Sequence, residues 1–380
     1  MKASSSMSEG PEEPPGSRAR PVMRTARMAL YPRAVDETRA KLDRLVEYAR
    51  GHDRALILTH DNPDPDSLAA GVALGYLLGK LAAVEAEVAY GGIVGRSENR
   101  ALIKVLKLPV VPIARVDFDD YDLICMVDTQ PEQGNHSLPA RHFPDVVIDH
   151  HPERPDSHLA PVADVGGPIG ATSTLLVGYF RASGLKLPPD IATALFYGLK
   201  ADTRDLGRQT TPQDVDAYLW LFPMVDKEAL ADIEHPKLPA DYFRLYHLAI
   251  EKALVYDDAV VCDLAEIYAP DMVAEVAERF MSLGQMRWSL AFGEYEDALY
   301  YSIRTGDRRM NAGRLIREVI EAKGGSAGGH GTMAGARLLV KGLGPVAKKR
   351  LKEEVVRAFL DAFGVKARKG KKLVRAARMS

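Results

Sequence analysis

The stretch "LILTHDNPDPDSLAAGVAL" (residues 56–74) sets a histidine, three aspartates and two prolines between two apolar runs. "ALILT" (55–59) is a short continuous apolar run ending in turn residues, the pattern of a strand covered on both faces. "SLAAGVALGYLLGKLAAV" (67–84) has the length and composition of a helix. Between them stand His60, Asp64 and Asp66, interleaved with Pro63 and Pro65. Proline fixes φ and removes an amide donor, so the spacing predicts that both carboxylates sit in an irregular loop, outside the following helix. Taken alone, the segment reads equally as a surface turn with an N-cap, because Asp and Ser favour both positions.

Strand and helix patterns continue to alternate downstream. "AEVAY" (86–90) precedes "SENRALIKVLKL", and "YDLICMV" (121–127) and "DVVI" (145–148) are further continuous apolar runs. "DETRAKLDRLVEYARG", "ATSTLLVGYFRAS" and "DIATALFYGLKADT" read as helices. Such alternation predicts an open parallel α/β sheet. The polar, proline-bearing "DKEALADIEHPKLPAD" (226–241) is the expected linker. After it, "YFRLYHLAIEKALVY", "AGRLIREVIEAKG" and "PVAKKRLKEEVVRAFLDAF" read as helices, and "AVVCDLAEI" and "DALYYSIR" as strands of a second, smaller α/β unit. The expected organisation is an arm at 1–33 that is too polar to bury itself, a first domain at 34–225, a linker at 226–240, a second domain at 241–363 and a solvated basic tail at 364–380.

With 380 residues, 46% hydrophobic and 27% charged, the composition is that of a soluble two-domain protein, and a net charge of −2 excludes a basic nucleic-acid scaffold. Cys125 and Cys262 each lie in an apolar run and read as reduced core residues. The N-terminus has no signal-peptide apolar core and no segment reads as a membrane span, so a cytoplasmic enzyme is expected.

Three apolar strands of the first unit end in metal-ligating residue types. "ALILT" runs into His60, Asp64 and Asp66; "YDLICMV" stops at Asp128; "DVVI" stops at Asp149, His150 and His151. In open α/β sheets, sites form beyond the carboxyl ends of the strands, so these groups converge on one crevice. Carboxylates packed together repel one another unless a multivalent cation offsets the charge. Oxygen and imidazole donors without thiolate favour Mn²⁺, with Mg²⁺ or Fe²⁺ as alternatives, and the donors exceed one ion's needs. Two ions sharing a bridging carboxylate, about 3.5–4 Å apart, characteristically serve phosphate-ester cleavage.

"HDNPDPDS", "VDTQ", "VIDHHP" and "ADTRD", in this order, resemble the four motifs of the DHH phosphoesterase superfamily, and "GGHGTMAGA" (328–336) resembles the glycine-rich signature of the associated DHHA1 domain. The resemblance implies a parallel-sheet DHH domain followed by a smaller α/β DHHA1 domain, with the active site in the cleft between them. It implies His60, Asp64 and Asp128 as ligands of one metal ion and Asp66, Asp128, His150 and Asp202 as ligands of a second. It also implies His151 as the contact to the scissile phosphate and Asp149 as the group that orients the histidines. Arg304, Gly328, Gly329 and His330 are the implied substrate contacts, with Asn311 and Arg314, which open the next helix, weaker. Ser67 stands where Ala is also common, and Arg204 where the family subset has Gly; with Arg208, Arg204 reads either as a substrate contact near the metals or as a surface charge.

The larger RecJ-type exonucleases add an oligonucleotide-binding module for which the chain shows no room. The resemblance therefore points to the small oligoribonuclease branch, which releases mononucleotides from short oligomers and in many cases dephosphorylates 3′-phosphoadenosine 5′-phosphate. The expectation is a two-metal phosphodiesterase acting on short single-stranded oligoribonucleotides or linear dinucleotides. A pyrophosphatase or exopolyphosphatase, a cyclic-dinucleotide phosphodiesterase and a non-catalytic nucleotide sensor stand as alternatives, and a homodimer is compatible with the fold.

Overall fold

The structure is a computed structural model that describes residues 32–307 and 309–374. The expected arm at 1–33 lies almost wholly outside the described residues, as does the end of the basic tail. The first domain opens with α1 (Pro32–Ala49) and continues through β1 (Arg54–Leu58), α2 (Pro65–Leu81), β2 (Glu85–Tyr90), α3 (Ser97–Leu106), β3 (Val110–Pro112), β4 (Leu123–Val127), β5 (Val146–Asp149) and β6 (Val162–Val165). The six strands pair in parallel in the order β3-β2-β1-β4-β5-β6. Every residue of β4 is buried: helices cover one face of the strand, and the segment around Phe118 packs on the other. The chain leaves β1 toward β2 and returns to the other side of β1 as β4, so the strand order reverses between the two. That reversal opens a crevice at their carboxyl ends.

Helix α2 shows a first departure. Asp64 is its N-cap, accepting from the Ser67 amide at 3.0 Å, and Pro65 occupies the first helical position. Proline is preferred there because its missing amide would be unpaired anyway. Pro65 therefore starts the helix, and Asp66 lies in its first turn. The prolines do not keep both carboxylates out of it.

α4 (Thr172–Ser183) and α5 (Pro189–Thr203) pack against α2, and α6 (Pro212–Leu221) and α7 (Lys227–Glu234) follow. α7 is a second departure: it lies within the expected linker, capped by Asp226, and its Ile233 is fully buried in the first domain's core. Apolar burial holds 227–234 to that core, which leaves only the short connection at 235–239.

The second domain comprises α8 (Ala240–Lys252), β7 (Leu254–Tyr256), β8 (Ala259–Glu266), α9 (Met272–Phe280), β9 (Trp288–Tyr295), β10 (Ala298–Thr305), α10 (Ala312–Glu321), β11 (Ser326–His330), β12 (Met333–Leu339), α11 (Pro345–Ala362) and β13 (Lys371–Lys372). Its seven strands run β11-β12-β10-β9-β8-β7-β13, antiparallel except for β8 beside β9. A separate hydrophobic cluster covers each face of this sheet. The tail expected to be solvated contributes β13, which adds an edge strand to β7. Among the described residues, no helix is long and apolar enough to cross a membrane. Cys125 and Cys262 are free and buried.

Candidate active site

The ends of β1, β4 and β5, the start of α2 and the end of α5 bring eight of the expected residues together: His60, Asp64, Asp66, Asp128, Asp149, His150, His151 and Asp202. His60 follows β1, and its Nδ1 donates to the Asp61 carbonyl at 3.0 Å, which turns Nε2 toward Asp64 Oδ1 and Asp128 Oδ2, each at 3.6 Å. Asp128 ends β4 at φ 56, a left-handed conformation that costs a non-glycine residue roughly 1–2 kcal/mol. The strained backbone is steadied from the side chain: Thr172 Oγ1 donates to Asp128 Oδ1 at 2.9 Å.

His150 follows β5, and its Nδ1 donates to the Ile169 carbonyl at 3.1 Å. Its Nε2 lies 3.1 Å from Asp202 Oδ2 and 3.6 Å from Asp128 Oδ1, yet this buried atom makes no well-formed hydrogen bond. Asp66 accepts from the backbone amides of Thr172 (2.7 Å) and Ser173 (2.9 Å). It thereby caps α4 from another helix, because Ala171 at the N-cap position offers no side-chain acceptor. Donor atoms within 4.8 Å of one another form the group His60, Asp64 and Asp128 and the group Asp66, His150 and Asp202.

The electrostatics of these groups are those of a site built for cations. Burial pushes Asp66 up to about 6, assisted by the Asp202 charge, and burial with the Asp66 and Asp64 charges holds Asp128 well above the usual carboxylate range. Burial opposes the His60 and His150 cations, but the hydrogen bond and charge of Asp64 hold His60 at about 9, and Asp202 and Asp66 do the same for His150. Asp64 is held below its ordinary value against burial by His60. His150 Nε2 faces carboxylate oxygens alone, so in the metal-free protein its own proton offsets their charge, and a divalent ion in that proton's place would do the same. Divalent ions fit: His60, Asp64 and Asp128 would hold one, and Asp66, His150 and Asp202 another, with Asp128 beside both.

Asp149 and His151 form the neighbouring unit. Asp149 is fully buried, and its Oδ1 accepts hydrogen bonds from His151 Nδ1 at 2.8 Å and from the His151 amide at 3.1 Å. His151 holds the Asp149 carboxyl below its ordinary value against the effect of burial. Gln130, which the sequence reading passed over, fixes this pair. Its Nε2 donates to Asp149 Oδ2 at 2.7 Å, while its Oε1 accepts from the Arg154 amide and Ser157 Oγ. Asp214 was passed over as well. Fully buried, it accepts from the Gly170 amide, Thr174, and the amide and hydroxyl of Thr211, and so anchors the loop whose Ile169 carbonyl sets His150. Both are polar residues in ordinary sequence contexts, and only long-range partners reveal them.

The expected substrate contacts occupy the second domain. Arg304 is nine-tenths buried at the end of β10, where Nη1 donates to Ser302 Oγ (2.7 Å) and the Ile303 carbonyl (3.0 Å), and Nε has no partner. Gly328 and Gly329, expected as substrate contacts, lie in a strand. They belong to β11, paired with Gly335 and Ala334 of β12, and Gly329, at φ 136, leaves no room for a Cβ above Ala334. His330 closes β11 opposite Met333, and its side chain lies outside the described part of the residue. Asn311 is the N-cap of α10, its Oδ1 accepting from the Arg314 amide at 2.9 Å. Between the domains lies a cleft of ≈ 480 Å³ whose walls include Pro65, Arg96, Lys200, Arg204 and Glu278.

Residues 54–199 match the DHH family, N-terminal domain, and residues 257–363 match the DHHA1 domain. The chain is 32% identical over 319 residues to an uncharacterized protein of Methanocaldococcus jannaschii, an alignment covering 82% of this chain and 64% of that one. It is 26% identical over 188 residues to a probable manganese-dependent inorganic pyrophosphatase of Lactobacillus gasseri, covering 47% of this chain and 55% of the relative. The chain thus spans less than two thirds of the length of either relative. The fold is similar to that of an exopolyphosphatase-related protein from Bacteroides fragilis, with TM-score 0.66, 16% identity, and coverage of 85% of this chain and 98% of the other. The matched domains, in this order around the carboxylate–histidine crevice, place the chain in the DHH phosphoesterase superfamily, as a DHH domain followed by a DHHA1 domain.

Proposed function

We propose that this chain is a divalent-metal-dependent phosphodiesterase that cleaves short oligoribonucleotides or linear dinucleotides to mononucleotides. The observation that carries the reading is the pair of adjoining ligand groups, the first containing Asp128 and the second reaching to 3.6 Å of it through the buried His150 Nε2, which points at carboxylates alone. When bound, the ions supply charge neutralisation at the phosphate and an acidified water for attack on phosphorus.

The chain's own groups set the rest. Asp149 holds His151 by Nδ1 and thereby orients the imidazole expected to contact the scissile phosphate. Thr172 pins one oxygen of Asp128, so that the carboxylate has one position relative to both ligand groups. The interdomain cleft, bordered by Pro65 of the ligand-bearing segment, is wide enough for a small nucleotide. Arg304 and the hairpin formed by β11 and β12 are the proposed grip on its terminal unit. Mn²⁺ is the proposed metal, in keeping with the pyrophosphatase relative.

That relative also favours a second reading, phosphoanhydride hydrolysis. The match to the DHHA1 domain over 257–363 supports the phosphodiester reading over it. The test is turnover by the full chain with Mn²⁺ of labelled di- to heptanucleotides, cyclic dinucleotides, 3′-phosphoadenosine 5′-phosphate and pyrophosphate. Release of mononucleotides from the short linear oligomers is expected. Turnover of pyrophosphate with the oligomers left intact overturns the reading.

A further inference from the structure

Residues 364–380 carry seven lysines and arginines and no aspartate or glutamate, in a chain whose net charge is −2. A run of this composition is ordinarily solvated and unattached. Its described part is instead tied to the second domain at several points. Val365 is buried against α11 and the sheet, and the Ala367 amide donates to Asp257 Oδ2 at 2.9 Å. Gly370 lies so close to the Tyr256 ring that a Cβ there would fall 2.6 Å from Cζ. Lys371 and Lys372 pair with Val255 and Leu254 of β7, and the Leu373 amide donates to the Ala253 carbonyl at 3.0 Å while its side chain packs on the core. Between these anchors Lys366, Arg368, Lys369, Lys371 and Lys372 are exposed. The backbone is thus fixed while the cations face solvent, so little ordering remains to be done when a partner binds.

The nearby carboxylates leave most of these cations unpaired. Asp361 takes Arg368, and Asp257 takes the Ala367 amide. Among the described residues, no ion pair engages Lys366, Lys369, Lys371 or Lys372. Lys252, at the end of α8 just before Ala253, is also exposed and outside any ion pair, and its neighbour Glu251 faces His247 at 3.8 Å. Lysines on an edge strand deter unwanted strand addition, which accounts for Lys371 and Lys372. It does not account for Lys366 and Lys369, which precede β13 and lengthen the row to at most about 20 Å. A bilayer surface is a poor match, because it needs apolar side chains to insert. Val365 and Leu373 turn inward, leaving Val374 as the large apolar side chain that the described segment exposes. A narrow row of fixed cations instead matches the repeating phosphates of a single nucleic-acid strand.

We propose that Lys366, Lys369, Lys371 and Lys372, with Lys252 beside them, form a docking strip for the phosphate backbone of a single-stranded RNA too long for the active-site crevice. β13 and β11 are opposite edges of the seven-stranded sheet, six strand spacings or roughly 30 Å apart. A mononucleotide held at the β11–β12 hairpin therefore does not reach the strip, and the strip's ligand is a polymer. Contacts to phosphates alone carry no base information, so docking is independent of sequence. The choice of RNA as the strand rests on the oligoribonucleotide reading above, while the strip itself lies outside the metal-ligand groups.

The test is fluorescence-anisotropy titration of a labelled, unstructured RNA of about 20 nucleotides with the full chain, in EDTA so that the RNA stays intact. Four neutralised phosphates give a slope of about −3 for log affinity against log salt, an approximately 50-fold loss between about 50 and 200 mM. Replacing the four lysines together by glutamine should remove most of that slope and weaken binding at low salt by at least about tenfold, with Tm unchanged because β13 pairs through its backbone. Arginine at the same four positions should preserve both affinity and slope. Lys366→Gln and Lys369→Gln, which lie outside β13, should each lower the slope by about 0.7 and keep the test open should the fourfold glutamine variant unfold. RNA affinity that survives the glutamine variants, or full competition by a dinucleotide, overturns the strip. Binding to anionic phosphatidylserine vesicles without binding to RNA, or to single-stranded DNA of the same length without RNA, overturns the RNA occupant. Failure of the phosphodiesterase reading shows separately, in the turnover assay with Mn²⁺.

Discussion

Gly198→Ala tests whether the close approach of α2 and α5 sets the metal ligands. A Cβ at Gly198 would lie 2.7 Å from Ser173 Oγ, 2.9 Å from Asp66 Cα and 3.1 Å from Asp66 Oδ1. Optimal carbon–carbon contact begins at about 3.5 Å, so the helices must part by about 0.6 Å, against backbone that no rotamer change can relieve. Asp202 sits one turn beyond Gly198 on the same face of α5, so the strain falls between the two carboxylates of one ligand group. Overpacking of this kind costs about 1–3 kcal/mol, which in a domain of this size corresponds to a fall in Tm of roughly 2–12 °C. Because metal geometry tolerates shifts of only about 0.2 Å, Mn²⁺ affinity should fall by about 10–100-fold, as for other disturbed ligand supports. Differential scanning calorimetry with and without Mn²⁺, together with calorimetric titration, reads both effects. An alanine variant with unchanged Tm and unchanged Mn²⁺ affinity would refute the argument that this helix contact positions Asp66 and Asp202.

Asp128→Asn keeps the side-chain shape and suits the left-handed backbone, so the fold should survive while turnover is lost and Mn²⁺ binding weakens at both ligand groups; retained activity would sink the shared-carboxylate arrangement. For His60 and His150, values near 9 against an ordinary 6.5 mean that their protons stabilise the metal-free fold fully below about pH 6.5, and that this stability is lost as the pH rises through 9. The Tm of metal-free protein should therefore decline across that window while Mn²⁺ affinity rises, and a metal-free Tm that is flat from pH 6.5 to 9 contradicts the assignment. Asn311→Ala should cost about 1 kcal/mol by uncapping α10, whereas Asn311→Asp should keep the cap and the Tm. If Asn311→Asp keeps the Tm but loses activity, the side-chain amide of Asn311 touches substrate.

Much of the fold and the membership of the ligand groups follows from local pattern. Short continuous apolar runs such as "LICMV", rich in β-branched residues, read as strands covered on both faces, and their polar stops at His60, Asp128 and His150 meet because parallel strands end on the same side of a sheet. Local pattern misled where a residue's role depends on what lies across from it. "GGSAGGHGTMAGA" has loop composition, yet its glycines pair across a hairpin because Gly329 must clear Ala334. "DKEALADIEHPKLPAD" has linker composition, yet Ile233 finds a core to bury in.

The amino-acid sequence alone determined the strand–helix alternation and which carboxylates and imidazoles stand at the strand ends, since both depend on periodicity and turn chemistry within a few residues. Tertiary structure decided that Asp66 belongs to the first turn of α2 while capping α4, that Gln130 and Asp214 hold His151 and His150 in place, and that Arg96 and Arg204 meet Glu278 across the cleft. Those pairings join residues far apart in the chain. Their partners are selected by burial, which leaves no polar group unpaired without cost and which no short window of sequence can express.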